Sequence, residues 1–347
     1  MNLTISELRD TAAARWDAYV RACPSASFSH LTAWKRTIEK TWGHRAHYLY
    51  AEREGQIVGV LPLFRVKSVF GSSLLSLPNA VYGGAAADDT DVAAALIDRA
   101  KELATSLRVK HLELRDDAVA PVTGDPDLHR KDLYVSFDHP ITTDDDALMK
   151  SFPRDIRRMI RQGSQHGLTV EFGREALATE LYDAYATTVH RLGTPVFPRR
   201  LFTACLREFG DACDILVVRK EGRTAAAVLN FYFRDTVFPY YSGSYPEFNR
   251  FGVNNFMYYE LMRSAARRGC TVFAFGRSKE GTGACEFKRG WRMRERPLPY
   301  KFYLVTGKRV PDLNPLNPKM GPLVNAWRRL PAGIARLLGP TLVRHLP

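Results

Sequence analysis

The chain of 347 residues lacks a long apolar stretch, and it has only five cysteines. No apolar run reaches the roughly 18–20 residues that a membrane-spanning helix needs, and the first residues lack the basic and apolar regions of a secretory signal. The five cysteines form no C-x-x-C pair, so neither a disulfide framework nor a zinc site is expected. The GxSxG, HExxH and P-loop patterns are also missing. We therefore expect a cytoplasmic protein that binds no metal, with a peripheral contact at the inner face of the membrane as an open alternative.

What the sequence does contain is an excess of positive charge in one half of the chain. The formal net charge is +13. Residues 1–150 hold 18 Lys and Arg against 21 Asp and Glu, a net charge of −3. Residues 151–347 hold 32 against 16, a net charge of +16. This uneven distribution predicts one basic site for an anionic partner in the second half, rather than a uniformly basic protein.

Two stretches, 47–66 and 214–234, show the pattern of a β-hairpin broken at a Glu-Gly pair. Each is followed by a further strand, a helical pattern and a closing strand, and the two series are offset by an almost constant number of residues. The repeated order predicts two copies of one α/β (α+β) domain, each with a mostly antiparallel mixed sheet flanked by helices.

Composition suggests the domain boundaries. The first domain is expected over 1–140, and the polar, acidic segment 141–150 has the composition of a linker. The second domain is expected over 151–306, and a Pro-rich tail, 307–347, is expected to pack on it. Pro331, Gly333 and Gly339 predict that this tail forms no long amphipathic helix.

A helix with one apolar and one cationic face is expected to open the second domain, over KSFPRDIRRMIRQGSQHG. At 100° per residue, Phe152 and Ile156 fall on the apolar face. Ser151 is the expected N-cap and Gly163 the expected end of the helix. The cations of the other face are Arg154, Arg157, Arg158 and Arg161, with Lys150 at its start. Forked guanidinium groups suit phosphate or carboxylate, although a merely solvated face has the same composition.

Three further segments carry candidate site residues. In 187–202, His190 and Arg191 precede a Gly-Thr-Pro loop with Thr194, which is expected to line a cleft. In 242–255, a helix start with Arg250 and Asn254 is expected to offer backbone N–H groups to a pyrophosphate. In 273–292, a strand enters a basic glycine-rich turn. The candidates in that last segment are Arg277, Ser278 and Lys279 in the turn, followed by Lys288 and Trp291.

The segment FAFGRSKEGTGACEFKRGW (273–291) resembles the Fem-type branch of the GNAT acyltransferase superfamily, especially the FemAB-like proteins associated with exosortase/PEP-CTERM systems. Four other segments support the resemblance over nearly the whole chain. They are FSHLTAWKRTIEKTWGH (28–44), EGQIVGVLPLF (54–64), RLGTPVF (191–197) and DLNPLNP (312–318).

The resemblance implies two tandem GNAT-like domains that transfer an acyl or aminoacyl group to an amine on a cell-envelope or exopolysaccharide precursor. It implies no permanently bound cofactor, with acyl-CoA or aminoacyl-tRNA as the donor. In GNAT folds the loop at 243–254 would hold the pyrophosphate of CoA. Here its R/Q-x-x-G-x-G/A pattern is degenerate over residues 250–254.

For such a reaction we expect backbone N–H groups near 241–244 to stabilise the oxyanion and a side chain to accept the amine proton. The candidate bases are His190, Tyr240 and Tyr241. The other candidates form a substrate-binding group, which would hold the phosphates of a small-molecule or lipid-linked precursor. This substrate-binding group is Arg154, Arg157, Arg158, Arg161, Arg191, Thr194, Arg250, Asn254, Arg277, Ser278, Lys279, Lys288 and Trp291.

Three alternatives remain open from sequence. One is an acetyl-CoA-dependent acetyltransferase acting on a sugar or lipid. Another is a non-catalytic module that binds RNA or the inner face of a membrane, supported by the alternation of apolar and basic residues in the tail. The third is a pseudoenzyme that serves as a scaffold.

Overall fold

A computed structural model describes residues 3–68, 71–116, 124–310 and 321–344. The motif at 312–318 lies outside the described residues. The strands are β1 (Leu3–Glu7), β2 (Arg45–Arg53), β3 (Gln56–Ser68), β4 (Gly71–Leu75), β5 (Ala86–Ala87), β6 (His111–Arg115), β7 (His129–Pro140), β8 (Thr169–Gly173), β9 (Cys213–Lys220), β10 (Arg223–Phe233), β11 (Thr236–Ser244), β12 (Val272–Lys279) and β13 (Arg294–Leu304). The helices are α1 (Ala13–Ala22), α2 (Thr32–Trp42), α3 (Thr90–Ser106), α4 (Asp145–Lys150), α5 (Arg154–Gln165), α6 (Ala178–Leu192), α7 (Arg199–Phe209), α8 (Val253–Arg267), α9 (Gly283–Gly290), α10 (Gly321–Arg329) and α11 (Ala332–Val343).

The chain divides into two units. The first holds the described residues within Met1–Tyr134, Pro297–Asp312 and Arg344–Pro347, and the second holds those within Val135–Arg296 and Leu313–Val343. Residues 297–306, expected in the second domain, thus belong to the first unit, because this part of β13 pairs with β6. The segment 135–140 belongs to the second unit, where Phe137 is part of the core.

Both predicted hairpins are present, and they share details that the sequence pattern did not specify. The turn residues Glu54 and Gly55 have φ angles of 51° and 76°, and Glu221 and Gly222 have the same values. Positive φ at both central residues is the geometry of a type I′ turn, which matches the twist of the flanking strands. In each hairpin the pairing register also shifts three residues after the turn glycine.

The two units repeat the same strand order. The first runs β1-β2-β3-β4-β6 with part of β13 beside β6, and the second runs β8-β9-β10-β11-β12 with part of β7 beside β12. In both, the first four strands are antiparallel neighbours and the next pair, β4–β6 or β11–β12, is parallel. A helix, α3 or α8, connects each parallel pair, as a parallel connection requires. The predicted duplication of a mixed, mostly antiparallel sheet is confirmed.

Each unit has its own apolar core. In the first, the sheet packs on α3, whose Val92, Leu96 and Ala100 are fully buried. In the second, α8 covers the sheet and α5 packs outside it, with Phe152, Ile156 and Ile160 in the core. The apolar face predicted for the basic helix is therefore the buried face.

The limits of α5 differ from those expected. The helix begins at Arg154 with Pro153 as its N-cap, because the Ser151 hydroxyl instead donates to the carbonyl of Leu148. Gly163 does not end the helix, which continues to Gln165. The absence of a side chain at Gly163 leaves room for the Phe256 ring.

The expected linker is partly helical. Asp144 is the N-cap of α4 and accepts backbone hydrogen bonds of 3.0 Å from Asp146 and Ala147. The Asp145 carboxylate accepts hydrogen bonds of 2.9 and 2.5 Å from the Arg263 guanidinium, which holds the pKa of that carboxyl below its usual range.

The tail forms two helices, α10 and α11, that belong to the second unit. The expected interruption is found at Pro331, between α10 and α11, but not at Gly333 or Gly339, which lie within α11. Gly339 lies against Val196 so closely that a Cβ would not fit, and Arg336 pairs with Asp183 of α6 at 2.8 Å. Close packing on α6 therefore stabilises a helix that these residues alone would disfavour.

Candidate functional site

The most distinctive feature of the second unit is the separation of β11 from β12. Their parallel pairing joins Thr236 to Val272 and Val237 to Phe273, and no further pair forms between these two strands along their described length. Beyond that point β11 continues to Ser244 and β12 to Lys279. The diverging segments 239–244 and 275–279 leave a gap at the carboxyl end of the two strands, which we call the β11–β12 opening.

The corresponding place in the first unit is filled by the chain itself. After the pairs that join β4 to β6, Ser76 donates its N–H to Glu113 and accepts the N–H of Arg115, both at 2.8 Å. The buried Arg115 guanidinium donates to the carbonyls of Leu77 and Ala80 at 3.2 and 3.1 Å. Of the two copies, the second therefore has the open site.

Backbone pairing with β10 orients the β11 side of the opening. The N–H of Tyr245 donates to the Ala225 carbonyl at 3.0 Å. Because N–H groups alternate in direction along a strand, those of Ser242 and Ser244 point away from β10, towards the opening. The Ser244 N–H donates to the Thr188 hydroxyl at 2.9 Å. Within the predicted 241–244 segment, Ser242 N–H is thus the best-placed oxyanion donor.

Two hydroxyl groups meet at the opening. The Ser242 Oγ and Tyr258 Oη atoms lie 3.0 Å apart, and the Tyr258 ring packs against Phe275 at 4.5 Å between centroids. Burial raises the pKa of Tyr258, an effect that the hydrogen bond with Ser242 partly offsets. Tyr258 is therefore a protonated hydroxyl that can donate. Sequence reasoning missed this pair because Tyr258 lies sixteen residues from Ser242, within an ordinary helical pattern.

Lys288 is held by the backbone of β12. Its Nζ donates to the carbonyls of Phe275, Gly276 and Arg277 at 2.6, 3.1 and 3.1 Å. Three consecutive carbonyls of a regular strand cannot converge in this way, and Gly276 permits it by adopting a φ of 69°. Lys288 was expected to bind substrate, but its amino group instead shapes the end of β12.

The position of this amino group also affects its protonation. Although part of the side chain remains exposed, the amino group is enclosed. Burial, with a smaller contribution from the charge of Arg277, lowers the pKa of Lys288 to about 7. The three carbonyls match the three N–H bonds of the ammonium form. Lys288 is therefore an ammonium group that loses its proton more readily than a lysine side chain in water.

Arg277, Ser278 and Lys279 were predicted to form a turn, but they are the last residues of β12, at the opening, and the turn follows Lys279. Arg277 and Lys279 are half-buried, whereas Ser278 is buried. The Ser278 hydroxyl has no hydrogen-bond partner among the described residues. The positive charge of Arg277 contributes to the lowered pKa of Lys288, and it partly offsets the raised pKa of Tyr241. The turn ends where Thr282 caps α9.

Two predicted site residues are core residues instead. Trp291 is fully buried against Phe152 and Phe275, so the expectation that it binds substrate was wrong. Tyr241 is buried in an aromatic cluster with Tyr185 and Phe202, and burial raises its pKa well above the usual value. A buried phenol of this kind is a poor base. Among the predicted tyrosines, only Tyr240 is half-exposed on β11.

His190 lies on the wrong face of α6 to act at the opening. The sheet-facing side of this helix carries Tyr185 and Thr188, which contact Tyr241 and Ser244. At 100° per residue, His190 falls close to Asp183, which pairs with Arg336 of α11 instead. Arg191 and Thr194 follow as exposed residues at the carboxyl end of α6.

The cationic side chains of α5 form a surface that we call the basic stripe, defined by Arg154, Arg157, Arg158 and Arg161. Arg157 is half-buried and the other three are exposed. No carboxylate within the described ranges pairs with any of them, which distinguishes the stripe from an ordinary surface of alternating ion pairs. Gln162 donates to the Arg250 carbonyl at 2.6 Å, so Arg250 lies beside the stripe.

The same packing covers the start of α8. The Met159 carbonyl of α5 lies against Gly252, where a Cβ would collide with it, and Gly252 has a φ of 68°. Val253 is buried and Asn254 half-buried. The Met159 oxygen thus faces the Cβ side of Gly252, and the pyrophosphate site expected on the 250–254 backbone stays a prediction. Arg250 remains available on the surface beside the stripe.

Metal-ligand clusters and disulfides are both missing among the described side chains. No cluster of His, Cys, Asp or Glu among them is suited to a metal ion. All five cysteines are buried, and none of them forms a disulfide bond. None of the described helices is long and apolar enough to cross a bilayer.

Comparisons with known proteins agree with this architecture. Residues 150–289 match the Acetyltransferase (GNAT) domain family. The crystal structure of FemX is similar, with a TM-score of 0.69 and 18% identity over 87% of this chain and 98% of that chain. A search of curated proteins found no match.

Two further structures are similar over most of their length. The C-terminal domain of a putative lysylphosphatidylglycerol synthetase from Agrobacterium fabrum has a TM-score of 0.56 and 12% identity, over 96% of both chains. A tandem GNAT protein from the clavulanic acid biosynthesis pathway has a TM-score of 0.51 and 13% identity, over 90% of this chain and 100% of that chain. The chain therefore has a tandem GNAT fold similar to that of FemX, and residues 150–289 of its second unit match the GNAT acetyltransferase domain family.

Proposed function

We propose that the protein is an N-acyltransferase that transfers an acyl or aminoacyl group to an amine on a phosphate-bearing precursor of the cell envelope or an exopolysaccharide. The observation that carries this proposal is the β11–β12 opening, where the Ser242 N–H and the Ser242–Tyr258 hydroxyl pair converge. The exosortase branch of the family remains a prediction.

In the proposed reaction the acyl carbonyl lies against the Ser242 N–H and the acceptor amine attacks it. The N–H stabilises the oxyanion of the tetrahedral intermediate. When this intermediate collapses, the C–N bond is retained and the bond to the leaving group breaks. Tyr258 donates its proton to the leaving oxygen or sulfur, and the amine proton returns to Tyr258 through Ser242.

Lys288 and Arg277 are assigned positioning and binding roles. Lys288 fixes the carbonyls of residues 275–277 and so holds the end of β12 that carries Arg277. Arg277 and Lys279 then contribute positive charge where a phosphate of donor or acceptor would approach. Tyr240 remains a candidate base on the opposite strand.

The basic stripe supports an anionic acceptor. The four arginines of the stripe pair with no carboxylate in the described segments, and together with Arg250 they can hold a diphosphate through charge-assisted hydrogen bonds. The similar structures include FemX and a putative lysylphosphatidylglycerol synthetase, a name that joins an amino acid to a phosphate-bearing lipid. A small or lipid-linked phosphate compound is therefore the acceptor class that we propose.

For the donor we favour aminoacyl-tRNA over acyl-CoA, because the R/Q-x-x-G-x-G/A pattern for a CoA diphosphate is degenerate over residues 250–254 and the Met159 carbonyl lies against Gly252 within it. An acetyl-CoA-dependent acetyltransferase is the second candidate, supported by the matched domain family. Because both donors are cytoplasmic molecules, we place the reaction in the cytoplasm.

Donor choice can be tested by incubating the full chain with either [14C]acetyl-CoA or [14C]aminoacyl-tRNA and a lipid extract of the source organism. We expect label in the lipid or diphosphate-sugar fraction with aminoacyl-tRNA only. The control is the Lys220→Met variant, which removes a lysine from β9, outside the opening. Transfer from acetyl-CoA alone would favour the second candidate, and transfer from neither donor would contradict the proposal.

A further inference from the structure

The carboxyl-terminal helices carry an exposed apolar surface that the proposed reaction does not use. Among the residues that the structure describes, the large hydrophobic side chains with the highest exposure lie in these helices or, for Leu192, at the end of α6 beside them. Leu337 is 77% exposed and Leu323 is 64% exposed. The complete set, which we call the leucine patch, is Leu192, Leu323, Ile334, Leu337, Leu338 and Leu342.

The leucine patch results from a helix that is apolar on two sides. At 100° per residue, Ala335, Gly339 and Val343 share one side of α11, and all three are buried. Ile334 and Leu337 fall on the opposite side, and Leu338 and Leu342 fall on the flank between the two sides, where they are 45% and 47% exposed. A helix that is apolar all round is normally enclosed in a core. Here the small residues pack inward and the large ones face outward.

Packing brings the end of α6 into the same region. Gly193, which follows Leu192, lies against Val324 of α10, the neighbour of Leu323. The Arg328 guanidinium donates to the Leu192 carbonyl at 3.2 Å. The exposed leucines of α6 and α10 therefore adjoin each other, and Gly339 of α11 touches Val196 a few residues further along.

The charges around the patch are of one sign. The segment 313–347 contains five Lys and Arg and no Asp or Glu. Arg191, Arg328 and Arg329 are exposed next to patch residues. The nearby carboxylate of Asp183 is paired with Arg336.

From these observations we infer that the leucine patch docks on an anionic lipid surface. Leucines set in a ring of arginines suit the boundary between acyl chains and negatively charged headgroups. A symmetric contact between two copies of this chain would instead bring the arginines of both copies together, which like-charge repulsion disfavours. The inference rests on the surface alone, so it stands or falls separately from the proposed reaction.

The buried state of all five native cysteines makes a direct test possible. The Leu337→Cys variant can be labelled at this position with an environment-sensitive fluorophore, and the Arg207→Cys variant, labelled on the exposed side of α7, is the control. Vesicles of phosphatidylcholine with phosphatidylglycerol are compared with vesicles of phosphatidylcholine alone. We expect a blue shift and increased emission at position 337 only, with the anionic vesicles only.

Vesicle co-sedimentation of the unlabelled protein provides the affinity. The Leu338→Ser and Leu342→Ser double variant is expected to weaken binding to anionic vesicles by roughly tenfold or more. Two leucine side chains that would move from water into the membrane on binding are then missing. The Arg328→Gln and Arg329→Gln double variant is expected to remove the preference for anionic lipid. Thermal melting checks that both variants fold, and the single Leu192→Ser variant replaces either one that does not.

Three results would overturn the inference. One is the absence of vesicle binding by the wild-type chain. Another is equal binding to neutral and anionic vesicles. The third is a wild-type dimer, detected by light scattering, that dissociates in the Leu338→Ser and Leu342→Ser variant while vesicle binding is unaffected, since a second copy would then be the occupant of the patch.

Discussion

The hydroxyl groups of Ser242 and Tyr258 lie 3.0 Å apart, and they connect the separating strand β11 to helix α8. In the first unit, the place of this opening is filled by a chain segment anchored on Arg115. Duplication thus produced two copies of one fold, of which one has closed its cleft. The hydroxyl pair belongs to the copy that remains open.

Removing the Tyr258 hydroxyl should separate catalysis from packing. In Tyr258→Phe the ring still contacts Phe275, so stability is expected to fall by only about 1 kcal/mol, the value of one hydrogen bond. Loss of the proton donor is expected to lower kcat for acyl transfer by roughly a hundredfold. Tyr259→Phe is the matched control, because it removes a neighbouring hydroxyl that donates to Asp145 instead. Equal kcat values for the two variants would refute the role of Tyr258.

The lowered pKa of Lys288 makes a prediction about stability. The group has a pKa of about 7 in the folded protein, against 10.5 for an ordinary lysine. Between these values the unfolded chain binds the extra proton. The free energy of unfolding of the wild type should therefore rise with pH across this window relative to Lys288→Met, by at most about 1.4 kcal/mol per pH unit.

Denaturant titrations of both proteins from pH 7 to pH 9 measure this difference, and Lys220→Met controls for the loss of any lysine. If the difference in unfolding free energy between the wild type and Lys288→Met stays constant across the range, the pKa of Lys288 is not lowered. The three carbonyl acceptors would then stabilise its ammonium form as well as water does.

The basic stripe predicts anion binding that is independent of folding. The Arg157→Ala and Arg161→Ala double variant is expected to weaken binding of inorganic pyrophosphate at least tenfold, since each lost charged hydrogen bond is worth roughly 1.5–3 kcal/mol. The melting temperature should change little, because these arginines have no carboxylate partners in the described parts of the chain. Isothermal titration calorimetry measures the binding, with Arg207→Ala as the control. Unaltered affinity would remove the stripe from the site.

Contact between α5 and α8 predicts a strict requirement for glycine at position 252. In Gly252→Ala the left-handed backbone alone is expected to cost about 1–2 kcal/mol, and the collision with the Met159 carbonyl adds to it. Gly290→Ala is the control, since Gly290 has free space around it and no positive φ. Thermal unfolding should show a clearly larger loss of stability for Gly252→Ala. Similar losses in both variants would show that α5 does not cover the start of α8.

Much of the fold could be predicted because it depends on short-range patterns. The Glu-Gly turns at 54–55 and 221–222 require positive φ and mark both hairpins. The apolar face of α5 follows from helical periodicity. The catalytic candidates could not be predicted equally well, because the meeting of Ser242 with Tyr258 depends on where two strands separate. Trp291 and Lys288 are residue types that are common in binding sites. Tertiary packing instead places the Trp291 ring in the core and the Lys288 amino group against backbone carbonyls.

The central claim is that acyl transfer takes place in the β11–β12 opening of the second unit. The most direct measurement is the single-turnover rate at which [14C]aminoacyl-tRNA loses its label to a lipid extract of the source organism. We compare the wild type with a Ser242→Ala and Tyr258→Phe double variant of the same melting behaviour. The account predicts rapid transfer by the wild type and a loss of at least a hundredfold in the double variant. Equal rates for the two proteins would contradict it.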